Sequence, residues 1–194
     1  LNRNINGQDA KFVSRTPDVF AAVVGRPHLE FRLATKDPSG NPTSGINRIQ
    51  SELTVVTEPR DQIKTLSYWN SYQYLNIWLV KALPATTGGV IVGYAQFPYG
   101  GSMSTDGVVC NAAQFANTAS TTLTHEVGHW LGLRHTWGDA LCGDDQVADT
   151  PPQRYSNGVG DNPGPLPTTN SFPSVSYTHL RAHETREDRG WRLV

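Results

Sequence analysis

His125-Glu-Val-Gly-His-Trp-Leu-Gly-Leu-Arg-His135 is the stretch on which the reading of this chain turns. Residues four apart lie near one another on one face of an α-helix, because each turn takes about 3.6 residues. His125 and His129 can therefore aim two imidazoles at one ion. Glu126 sits about 100° further round the helix. It cannot share their direction, but it can reach a water held by the same ion. Gly132 follows three residues after His129, where a residue without Cβ can take the left-handed conformation that ends a helix. The chain can then turn sharply and bring His135 back from outside the helix.

Three neutral imidazoles leave one position of a tetrahedral zinc open, as in catalytic rather than structural sites. Zinc lowers the pKa of its water from about 15.7 towards about 7. Glu126 is then the general base that takes the proton as water attacks a peptide carbonyl, and it can return the proton to the leaving amine. An isolated HExxH string is often an ordinary surface turn of helix. Three histidines, Glu126 and Gly132 in one register beside an apolar run make the metal site the stronger reading.

Upstream of the motif the chain reads as short strands and turns. Thr16 and Pro17 suit the start of one or two helical turns running to Val24. Leu29, Phe31 and Leu33 alternate with His28, Glu30 and Arg32, which predicts a half-buried strand over 28–34 with His28 facing solvent. Asp37 to Gly45 is rich in turn residues. A further strand is expected near 51–57, then an irregular stretch over 61–71 anchored by Trp69. Tyr74 to Leu83 is apolar on both faces and predicts a central strand. Gly88-Gly89 turns into a strand over 90–97, and Asp106-Gly107 leads into another, or a strand and turn, over 108–115. The motif helix is expected over about 120–132, capped by Ser120 or Thr118 and burying Leu123, Val127, Trp130 and Leu131.

With 194 residues and a net charge of -1, the chain has room for one cored domain and carries no charge bias towards nucleic acid or an anionic membrane. Charged residues make up 17%, and there are 18 glycines and 13 prolines, which suits a loop-rich, extracellular type of domain. No run of about 20 apolar residues is present, so no membrane span is expected. Leu1 opens on a polar stretch without signal-peptide character; a targeting segment for secretion would lie upstream. Cys110 and Cys142 have no metal-binding spacing. They can pair with each other, pair elsewhere or stay free, and Cys110 sits in an apolar run that suits a buried thiol.

Beyond His135, Asp144, Asp145 and Asp149 crowd a tight loop. Carboxylates alternating with backbone carbonyls suit Ca²⁺, although a solvated acidic turn fits equally well on spacing. Residues 155–174 lack periodicity and read as a flexible loop. His179 and His183 are four apart, but position 180 is Leu and no third ligand is evident.

The motif HExxHxxGxxH over His125–His135 resembles that of the metzincin zinc metallopeptidases. Leu29–Thr43, Tyr74–Val80, Gly93–Pro98, Asp106–Val109 and Asp145–Pro151 together resemble the pappalysin family, nearest its ulilysin-like bacterial and archaeal branch. The resemblance spans about residues 1–153. It implies a mixed α/β (α+β) zincin catalytic domain, in which a twisted sheet packs on the active-site helix. It implies zinc on His125, His129 and His135, and calcium held by Asp145, the Val147 carbonyl and Thr150. The substrate, a protein or peptide, would join the cleft edge as an extra strand, with Val90–Phe97 the candidate edge.

The chain also departs from the family. The first strand and most of the first helix are expected before residue 1. Met103, the only methionine, precedes the motif, so the Met-turn below the zinc, its following tyrosine and the nearby cysteines are not matched, which leaves Cys142 without its family partner. Residues 175–194 resemble no part of the family and read as a non-native tail. The expected organisation is a catalytic domain over 1–154, incomplete at both ends, a loop over 155–174 and that tail. The implied function is a secreted zinc-dependent metalloendopeptidase; the alternative is a catalytically inactive module that binds zinc or calcium.

Overall fold

The computed structural model describes residues 1–10, 13, 25–85, 91–135, 138 and 144–147. The chain divides into two compact units, one built on Glu30–Leu131, the other on Asn2–Leu29 and Gly132–Arg186. The helix of the motif lies in the first unit, over a three-stranded sheet. Its strands are β1 (Ile77–Val80), β2 (Gly93–Ala95) and β3 (Val108–Asn111), in the order β1-β3-β2. β3 runs parallel to β1, with Trp78 opposite Val109, and antiparallel to β2, with Gly93 opposite Cys110 and Tyr94 opposite Val109.

Strand alternation sorts these residues onto two faces. On one face Trp78, Val80 and Val109 join Val56, Ile63 and Leu83 in the core, with Tyr94 packed against them. Val108, Cys110, Gly93 and Ala95 fall on the other face, where the motif helix α3 (Thr122–Trp130) packs on β2 and β3. A short helix, α2 (Ala112–Ala116), leaves β3 directly; Asn111 caps it by accepting the N–H groups of Ala113 and Gln114. A buried cation sits below the core face. Lys64 is 2% exposed, pairs with Asp61 at 2.8 Å, donates to the Thr105 carbonyl at 2.7 Å, and lies 5.2 Å from the Tyr94 ring centroid.

Several local expectations change. Residues 28–34 form no ladder, and only the isolated Lys36–Pro42 bridge follows them. An alternating pattern makes an extended segment, but a strand needs a partner. The expected strand at 51–57 is a turn of 3₁₀ helix at Glu52–Thr54, capped by Ser51, followed by a single bridge from Val55 to Ala82. The irregular stretch from 61 includes a 3₁₀ helix, Arg60–Leu66, whose Ile63 reaches the core, while the half-buried Trp69 lies edge-on to Tyr74 at 5.0 Å. The strand expected to be central, β1, is at an edge with only Trp78 and Val80 buried; Ile77 and Leu79 are exposed. The central strand is β3, whose Val108, Val109 and Cys110 are fully buried. Hydrophobicity on both faces therefore did not report centrality: α3 covers the second face over β2 and β3, not over β1.

In the second unit, α1 (Asn2–Ile5) is held to the chain near 29, where the Asn6 amide donates to the Asn2 and Leu29 carbonyls at 2.9 and 2.8 Å. The helical turns expected at 17–24, the Gly88-Gly89 turn, Cys142, Asp149, Thr150 and everything from Pro151, including the 155–174 loop, the His179/His183 pair and the 175–194 tail, lie outside the described residues. Among the described residues no helix is long and apolar enough to cross a membrane.

Candidate metal centre

α3 begins two residues later than its expected start. Thr121 is its N-cap residue, and the Ser120 hydroxyl accepts the Thr122 N–H at 3.2 Å. The helix ends at Trp130, Leu131 closes its last turn, and Gly132 follows with φ +99°. That is the left-handed exit its spacing predicts, in a region that disfavours residues with a Cβ.

Along the helix the His125 and His129 Nε2 atoms face each other at 3.0 Å, and the rings meet edge to face. A tetrahedral zinc with Zn–N of about 2.0–2.1 Å sets its nitrogens about 3.3 Å apart, so this pair has the spacing two ligands of one ion need. His135 follows three residues past Gly132 in the same continuous segment. The donor set, three imidazoles and no thiolate, fits a zinc ion that keeps a position for water.

Glu126 points elsewhere, as its place on the helix requires. It is 5% exposed and lies against β2; its Cγ would be 2.9 Å from a Cβ placed on Gly93. Burial raises its carboxyl to about 7, because a charged carboxylate loses hydration there. Cys110, across the rung from Gly93, is pushed up to about 11, first by burial and then by the charge of Glu126. It is a free, buried thiol, as its apolar surroundings predict.

Two neighbours of the motif were not singled out by sequence. Asp106, 1% exposed, accepts the Trp130 indole N–H through both carboxylate oxygens, at 3.1 and 3.2 Å. It ties the last turn of α3 to the start of β3. An Asp-Gly pair reads as a turn and Trp130 as core, so only a carboxylate buried beside an indole reveals the link. Phe97, just past β2, lies 5.2 Å from the His129 ring, centroid to centroid. In the acidic loop, the Asp145 side chain is buried and accepts the Val147 N–H at 3.0 Å, while Asp144 accepts that of Gln146 at 2.7 Å.

The chain is similar to known proteins. The family model of the M43 peptidases, described as pregnancy-associated plasma protein-A, matches residues 58–172, more than half of the chain. An extracellular metalloprotease of Verticillium alfalfae is 35% identical over 147 residues, covering 68% of this chain and 47% of that protein. Extracellular metalloprotease 1 of Coccidioides posadasii is 34% identical over 95 residues, 43% of this chain and 33% of that one. The chain thus spans about half the length, or less, of the curated relatives it matches. Among solved structures, mature mirolysin of Tannerella forsythia in complex with a cleaved peptide aligns with a TM-score of 0.71 and 37% identity, over 80% of this chain and 62% of that one. Fold, motif and family match agree: the chain belongs to the M43, or pappalysin, family of metzincin metallopeptidases.

Proposed function

We propose that this protein is a secreted zinc-dependent metalloendopeptidase that hydrolyses peptide bonds in a protein or peptide substrate. The observation that carries the reading is a buried carboxylate, Glu126, held against an edge strand and next in sequence to two imidazoles that face each other at 3.0 Å. His125, His129 and His135 would hold the zinc. Bound there, zinc supplies Lewis acidity and acidifies a water. Glu126 takes the proton from the attacking water and passes it to the leaving amine.

β2 pairs on one side with β3 and stands at the end of the sheet order. An extended peptide added to its other side would bind through main-chain hydrogen bonds, with its scissile carbonyl carried past Glu126. Mirolysin has been seen with a cleaved peptide, which supports a peptide as the substrate class. Secretion is supported by relatives named as extracellular proteases.

Calcium is the second ion of the proposal, on Asp145, the Val147 carbonyl and Thr150. Its support is a buried carboxylate on a tight turn, the donor type that ion prefers. The test is cleavage of a generic protein substrate by the purified chain with and without zinc. Zinc-dependent cleavage that disappears in Glu126→Ala, with zinc still bound, is the expected result. A chain that binds zinc and cuts nothing would be the non-catalytic binding module instead.

A further inference from the structure

β2 is small-large-small: Gly93, Tyr94, Ala95. Tyr94 fills the core side, its hydroxyl donating to the Arg60 carbonyl at 2.9 Å. Gly93 and Ala95 alternate to the side on which α3 packs. Gly93 is not needed for a turn there. It lies within a regular ladder, opposite Cys110, and its φ is outside the left-handed region. A glycine inside a strand weakens it and calls for a reason. A Cβ added at 93 would lie 2.9 Å from Glu126 Cγ, 3.0 Å from Oε1 and 3.2 Å from Cδ. Those three contacts, the nearest it would make, are all to one side chain, with no backbone among them.

We propose that Gly93 is a positioning residue for Glu126: the space where its side chain would be is the seat of the carboxylate. The clash is with a flexible side chain, so the fold can absorb it by moving Glu126 off the seat. The damage then falls on the placement of the base and not on the sheet or the histidines. The kinetic part of this inference rests on the reading of Glu126 as the base; the packing part does not.

The two parts are tested separately. In the metal-free full chain, Gly93→Ala is made in the wild-type and Glu126→Ala backgrounds and thermal unfolding is followed. Without the Glu126 side chain, alanine is simply the better strand residue, and Tm should rise by about 2 °C. With Glu126 present that gain should vanish or turn into a loss of a few degrees. In the zinc-loaded chain, Gly93→Ala should retain its zinc while kcat falls at least about tenfold with KM little changed, as for a group acting mainly in the transition state. The same Tm shift in both backgrounds, or an unaltered kcat with zinc retained, overturns the proposal. A wild-type chain without any peptidase activity would sink the proposed function, and the unfolding cycle alone would then decide whether Glu126 sits on Gly93.

Discussion

Replacing Glu126 by Gln should change how stability depends on pH, and in a defined direction. In the metal-free chain the Glu126 carboxyl is raised from 4.5 to about 7 by burial. Between those values the folded chain keeps a proton that the unfolded chain has released. Raising the pH through this window therefore favours unfolding, and the loss is complete above about 7. The size follows from the shift: about 2.5 units at about 1.36 kcal/mol each is about 3 kcal/mol. Solvent screening takes little from it, since the side chain is almost wholly covered. Glutamine has the same length and nothing to titrate. The stability of Glu126→Gln relative to wild type should thus grow by about 3 kcal/mol between pH 4 and pH 8.

The assay is urea unfolding of both proteins in chelator at several pH values, read as the difference between the two curves. Taking the difference cancels groups that titrate alike in both proteins. Parallel curves, or a gap that widens towards low pH, would refute the claim that this carboxyl is desolvated in the folded chain. Saturating zinc should shrink the gap at pH 8, because a nearby cation favours the ionised form.

Three other outcomes follow from the same geometry. His135→Ala should lower zinc content, measured by elemental analysis, from about one ion per chain towards zero, since two imidazoles hold the ion less well than three; full occupancy in the variant would remove His135 from the ligand set. Asp106→Ala leaves the Trp130 indole N–H buried without its acceptor and should cost about 1–3 kcal/mol in urea unfolding, with Asp106→Asn milder because an amide oxygen still accepts. Gly107→Ala should prevent soluble expression, because Gly107 has φ +140° and an added Cβ would run into the Asn76 carbonyl and the Trp78 ring; a soluble variant with wild-type Tm would contradict this.

The metal motif was legible because it needs only one helix. Spacing of four puts His125 and His129 together, and Gly132 ends the helix, whatever the rest of the chain does. The sheet was legible as segments but not as an order. Ile77 and Leu79 are at least as apolar as their partners Val108 and Cys110 on the same face, and the position of α3 decides that the first pair is exposed and the second buried. That position depends on contacts far apart in sequence, such as Trp130 with Asp106, 24 residues away. Gly93 marks the limit most clearly. Read along the chain it is a weak point in a strand, and turn or bulge is the usual explanation. Its place opposite Cys110 and beneath Glu126 gives it another one, and the two carry opposite expectations. A glycine kept for backbone freedom resists any side chain in every background. A glycine kept for the space above it accepts alanine once Glu126 is gone.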